Sequence, residues 1–143
     1  MLLLSCLLLL QNPGPQAAPA WSATTLEAAA TEANRQVLTE GRPLTLTGEV
    51  VDVSCYTQLG KRGEGHKACG AACVASGSPA GLLTADGTLY ILMPEQHHPR
   101  RDGKVSLAKY LSEHMAQTLT LSGMASGHGG IHTLFIAAPI GAR

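Results

Sequence analysis

Apolar and polar residues alternate along several short stretches of this 143-residue chain, as they do in half-buried β-strands. In residues 44–55, Leu44, Leu46, Gly48 and Val50 share one face, and the phase then slips so that Val51, Val53 and Cys55 share a face. A slip beside a glycine predicts a bulge or bend, as a strand needs when it serves both sides of a small barrel. This register predicts that Cys55 lies at the strand end and points inward.

The later pattern predicts four more strands and a helix. Residues 81–93 form a hairpin that turns at Asp86-Gly87, and Pro94 ends its second strand. An amphipathic helix follows at 105–116, then strands at 117–124 and 131–138. We therefore predict a mainly β OB-fold-like barrel of five strands, with the helix between strands 3 and 4 and a long insertion after strand 1.

The residues before the barrel predict a helix and a processed leader. Residues 22–40 are rich in alanine, and Thr24 with Glu27 has the spacing of a capping box. Residues 2–10 are an apolar run, and Ala18-Pro19-Ala20 is typical of a signal-peptide cleavage site. The predicted divisions are a signal peptide at 1–20, an N-terminal helix and linker at 21–43, and the OB-fold-like domain at 44–143.

This leader predicts a periplasmic or secreted protein. The apolar run is too short to cross a bilayer, so no stable membrane span is expected. Cys6 loosely resembles a lipoprotein cleavage site, but cleavage there would leave four more leucines on the mature protein, so lipid anchoring is the weaker interpretation.

Charge and aromatic content argue against a nucleic-acid partner. Ten basic residues balance ten acidic ones, and the chain has five aromatic residues. A neutral domain lacks the basic surface that phosphate backbones require, and few rings are available to stack on bases. The partner expected from composition is therefore an unidentified protein or a small ligand.

Candidate chemistry is concentrated in the insertion, at residues 55–73. His66, Cys69 and Cys73 stand at i, i+3 and i+7, so they share one face if residues 66–76 are helical. With Cys55 they make a Cys3His set, which suits tetrahedral zinc, or copper if ligand softness decides. His128 and His132 flank a Gly-Gly pair and are weaker metal-ligand candidates.

Two other interpretations of the same cysteines remain open. Removal of the leader leaves three cysteines, so one disulfide with a spare thiol is possible, and a bridge from Cys55 to Cys69 or Cys73 would pin the insertion to the barrel. The protein would then be a disulfide-stabilised interaction module without metal. Alternatively, Cys69 and Cys73 cycle as a thiol-disulfide redox pair. No nucleophile–base set occurs, so a binding protein is predicted rather than an enzyme.

A longer pattern carries a resemblance that covers roughly residues 44–138. The chain resembles small exported bacterial OB-fold-like proteins of uncharacterised function that carry a C-Y…H-x2-C-x3-C insertion. The resemblance implies the fold and export, and it implies no activity. The residues that carry it are Gly48-Glu49-Val50-Val51-Asp52, Cys55-Tyr56, Gly60, Gly63, His66, Cys69, Cys73, Gly77, Pro79 and Leu89-Tyr90-Ile91-Leu92.

Overall fold

The computed structural model describes residues 18–96 and 106–137, which contain five strands closed into one barrel. Around the barrel the order is β1-β2-β3-β5-β4, with β4 returning to β1, and β3 runs parallel to β5 while the other pairs are antiparallel. This arrangement confirms the predicted OB-fold-like barrel. The strands are β1 (Arg42–Asp52), β2 (Ala80–Thr84), β3 (Leu89–Pro94), β4 (Thr118–Ser126) and β5 (Thr133–Ile136).

Strand β1 pairs with both of its neighbours and changes partner around Gly48. Residues 42–49 pair with β4, whereas residues 48–52 pair with β2. At Gly48 the two strands pass so close that a Cβ atom would lie 2.6 Å from the carbonyl oxygen of Leu83. The prediction that the first strand serves both sides of the barrel is therefore confirmed, and the change of partner takes place around Gly48.

The N-terminal segment forms two short helices instead of the single helix predicted for 22–40. They are α1 (Ala23–Ala28) and α2 (Glu32–Thr39). The capping box was wrong, because Ser22 caps α1 and Thr31 caps α2, each through its side-chain oxygen. The Thr31 hydroxyl accepts a hydrogen bond from the Asn34 amide and so starts a second helix within the predicted one. Trp21 packs edge-on against Phe135 at 5.3 Å and holds this segment on the barrel.

The insertion after β1 is largely helical. It contains α3 (Val53–Leu59), a 3-10 turn (Glu64–His66) and α4 (Lys67–Ala75). The prediction that the strand continues to Cys55 was wrong. Asp52 ends β1 and caps α3, because its Oδ1 accepts a hydrogen bond from the Ser54 amide at 3.0 Å. Cys55 therefore lies in the first turn of a helix.

Helix α5 (Ala108–Glu113) lies between β3 and β4, as predicted, although it is shorter than 105–116. The hydrophobic core includes residues from outside the strands. They are Leu111 on this helix, Met115 just after it and Val74 of α4, all of which are buried. The two helices thus extend the core beyond the strands and hold the insertion against it. The barrel residues of this core are Val50, Ala80, Leu82, Leu92, Ala125, Leu134 and Ile136.

Some predicted features lie outside the described residues. They are the apolar run at 2–10, residue 105 at the start of the predicted helix, and residue 138 at the end of the last predicted strand. Within residues 18–96 and 106–137, no helix has both the length and the apolar character needed to cross a bilayer.

Candidate metal centre

Three side chains from consecutive elements meet where β1 ends. Asp52 is the last residue of β1, Cys55 lies in α3, and His66 ends the 3-10 turn before α4. One carboxylate oxygen, the thiol sulfur and one imidazole nitrogen all lie within 4.8 Å of one another. Among the described residues, this is the group whose donor atoms are close enough to share a metal ion.

The Asp52 side chain has one oxygen engaged and one free. Its relative exposure is 0%, and Oδ1 accepts the capping hydrogen bond from Ser54. Oδ2 has no hydrogen-bond partner in the described part of the chain. A buried polar atom without a partner is costly, and such atoms in folded proteins call for an explanation.

His66 presents the second buried atom without a partner. Its relative exposure is 8%, and Nε2 finds no hydrogen bond among residues 18–96 and 106–137. The 3-10 turn that carries it is fixed to β1, because the Gly63 amide donates to Glu49 Oε1. The imidazole lies over α4 at Gly70, where a Cβ would be 3.4 Å from His66 Cδ2 and 3.0 Å from Met115 Sδ.

Asp52 and His66 line a narrow gap together with Glu49, Arg62 and Met115. This gap has a volume of about 0 Å³ for a water-sized molecule, so it does not hold a water molecule. A metal ion can lie closer, since its bonds to oxygen and nitrogen are about 2.0–2.2 Å, against about 2.8 Å for a hydrogen bond.

The thiols lie on the more open side of the group. Cys55 and Cys73 are half-buried and Cys69 is exposed. Contact with the Asp52 carboxylate, through hydrogen bonding first, raises the pKa of Cys55 from 9.0 to about 11, and burial adds to this increase. Neither thiol gives Asp52 Oδ2 a hydrogen bond of regular geometry. Without metal, Cys55 is therefore a neutral thiol at pH 7.

Cys73 links the inner group to the surface thiol. Burial is the largest cause that raises the pKa of Cys73, and the charges of Cys69 and Asp52 add to this increase. Cys69 and Cys73 lie one turn apart on α4, so their side chains are neighbours. The structure thus brings Cys55 and His66 of the predicted Cys3His set together with Asp52, whereas Cys69 and Cys73 lie outside this three-residue group.

The three cysteines are free thiols, and no disulfide joins them in this structure. Raised pKa values at Cys55 and Cys73 also disfavour the thiolate that redox cycling requires. The histidines on the last hairpin make other contacts. His128 Nδ1 lies 3.1 Å from Glu40 Oε2, and the His132 ring packs on Tyr90 at 5.4 Å. Neither belongs to the three-residue group.

The donor set fits a transition metal. Carboxylate, thiolate and imidazole are all zinc ligands, and a tetrahedral zinc site separates its ligand atoms by roughly 3.3–3.7 Å. The donor atoms of the group lie within 4.8 Å of one another, so they would have to move closer together to reach this separation. The sequence interpretation missed Asp52 because that residue was assigned to the interior of a strand. An aspartate three residues before Cys55 has the spacing of a helix cap beside a ligand, and that signal was available.

Comparison of this chain with protein-family models, with curated proteins and with solved structures gives no match.

Proposed function

We propose that this protein is a small zinc-binding barrel protein whose ion is held by Asp52, Cys55, His66 and Cys73. The observation that carries the proposal is the pair of buried, unpartnered atoms, Asp52 Oδ2 and His66 Nε2, next to a thiol. A metal ion bonds both atoms at once. We assign Cys73 as the fourth ligand, because it is half-buried on α4 and the charge of Asp52 acts on its thiol.

Zinc fits this donor set better than copper does. Copper(I) prefers soft sulfur ligands, and the predicted Cys3His set left the choice between the two metals open. A carboxylate is a hard ligand, so its presence in place of the Cys69 thiolate favours zinc. The four protein ligands fill a tetrahedral shell, and the closed space beside His66 has no volume for a substrate. This arrangement supports a binding or structural role for the ion.

Export belongs to the same proposal. Ala18 and Ala20 are exposed, so a protease can reach the bond after Ala20. Trp21, the first residue of the mature chain, is held by Phe135 and donates to the Leu38 carbonyl oxygen at 2.9 Å. Cleavage would therefore leave the packing of the barrel unchanged.

Metal analysis of the full chain, purified under anaerobic and reducing conditions, tests the function. We expect about one equivalent of zinc after loading and dialysis, with proton release on binding. Competition with a chromophoric chelator then gives the affinity for zinc and, in a parallel titration, for copper(I). Asp52→Asn and His66→Ala should each weaken zinc binding by about tenfold or more, because each removes a ligand.

His132→Ala is the matched control, since it removes an exposed histidine outside the group. Its affinity should equal that of the wild type. The proposal fails if the wild-type protein holds less than about a tenth of an equivalent of zinc. It also fails if zinc binds with the same affinity after His66→Ala, because the ion would then lie elsewhere.

A further inference from the structure

The five polar side chains around the candidate centre form a path from the surface inward. Cys69 is exposed, Cys73 and Cys55 are half-buried, and Asp52 and His66 are buried. Sulfur ligands occupy the outer part of this path, and the unpartnered oxygen and nitrogen lie at its inner end. An ion that enters from the thiol side therefore meets soft ligands before it meets Asp52.

Helix geometry makes the outer part of this path continuous. Cys69 and Cys73 are four residues apart on α4, so their side chains lie on adjacent turns of one face. The charge of the Asp52 carboxylate in turn acts on the Cys73 thiol. The gap lined by Asp52, His66 and Met115 has no volume for a water-sized molecule, so a hydrated ion cannot enter through it.

Cys69 itself is redundant for holding the ion. Asp52, Cys55, His66 and Cys73 already provide the four ligands of a tetrahedral zinc site. Cys69 and Cys73 both lie outside the close group of three, and Cys69 is the exposed one of the two. A fifth ligand one turn from Cys73 is useful for transfer, because ligand exchange at zinc passes through an expanded coordination shell.

We propose that Cys69 is the entry thiol of the site, where it takes zinc from a donor that carries the ion on thiolates. This inference rests on the proposed function. In each step a new sulfur–zinc bond forms as an old one breaks, first from donor to Cys69 and then from Cys69 to Cys73. The proton of the incoming thiol passes to the thiolate that leaves, so no electrons are transferred and no oxidant is needed. The source is thus a low-molecular-weight thiol complex or a protein with exposed thiolate-bound zinc.

Stopped-flow loading of the full-length protein tests the entry role. The donor is the zinc–glutathione complex, and aqueous zinc is the second probe. Cys69→Ser should slow loading from zinc–glutathione by about tenfold or more, because the first contact is lost, while the equilibrium affinity and the stoichiometry stay the same. Ala72→Ser is the matched control, since it places a hydroxyl at an exposed position of the same helix. It should load at the wild-type rate.

Each of the other possible results contradicts one part of the proposal. If Cys69→Ser loads from zinc–glutathione at the wild-type rate, Cys69 is not the entry thiol. If Cys69→Ser weakens the equilibrium affinity about tenfold, Cys69 is a ligand and the transfer role is wrong. If the wild-type protein binds no zinc at equilibrium, the proposed function itself fails. The equilibrium measurement therefore separates failure of the function from failure of the entry mechanism. Circular dichroism of both variants verifies that they are folded.

Discussion

Asp52 combines a structural and a chemical role in one side chain. Oδ1 starts α3 by accepting a hydrogen bond from Ser54. Oδ2 has no hydrogen-bond partner in the described part of the chain, and the same residue groups with His66 and Cys55. A cap requires only one oxygen, and a solvated cap would serve the helix equally well. Burial of the second oxygen therefore costs stability without benefit to the helix, and a ligand that binds it accounts for that cost.

The raised pKa of Cys55 predicts a pH dependence of stability in the metal-free protein. The folded protein holds this proton more tightly than the unfolded chain, since the pKa rises from 9.0 to about 11. The contribution of the Cys55 thiol to the free energy of unfolding is therefore fully present below pH 9 and is lost as the pH rises towards 11. Calorimetry in the presence of a chelator should show a Tm that falls over this range, and falls less steeply in Cys55→Ser. Parallel curves for the two proteins would contradict the assigned shift.

The residues of the site were predictable to different extents. Cys55 and His66 were found because cysteine and histidine are rare and their spacing is distinctive. Asp52 was not found because it was assigned to the interior of a strand, although its spacing before Cys55 is that of a helix cap. The exposure of Cys69 was also missed. Helical spacing in the sequence shows which residues share a helix face. It does not show which part of that face the neighbouring elements cover and which part stays exposed to solvent.

At the scale of elements, strand order was easier to predict than the limits of each element. The hairpin at Asp86-Gly87 and the bend at Gly48 were predicted because each depends on local backbone geometry. The N-terminal helix and the end of β1 were wrong because Thr31 and Asp52 use side-chain oxygens to start new helices. Capping residues that lie within an apolar pattern thus determine where these helices and strands begin and end.

Gly48 provides a prediction for the strand that carries the site. Gly48→Ala should destabilise the protein by about 1–3 kcal/mol, because the new Cβ would meet the rigid carbonyl of Leu83. Urea unfolding measures this difference. Gly65→Ala is the control, since no atom lies within 4 Å of the added Cβ, and its effect should stay within about 0.5 kcal/mol. Equal midpoints for the two variants would refute the close approach of β1 and β2.

At the scale of the molecule, the barrel is closed by backbone pairing, whereas the insertion depends on side chains. The strands form a complete ring of hydrogen bonds. The insertion contacts this ring through the Glu49–Gly63 hydrogen bond, the packing of Val74 against the core, and the group around Asp52. An ion at that group would join β1, α3 and α4 directly. Metal binding should therefore stabilise the insertion more than it changes the barrel.

This difference leads to a prediction for the whole protein. At a free zinc concentration about 1,000 times Kd, linkage stabilises the folded state by about 4 kcal/mol, so the Tm should rise by roughly 10–20 °C over that in chelator. Hydrogen exchange should slow most in residues 53–75, while the amides that pair β1 with β4 change only with global stability. Magnesium should have no effect, and His66→Ala should lose most of the shift. If one equivalent of zinc binds and the exchange of residues 53–75 stays unchanged, the ion does not join the insertion to the barrel.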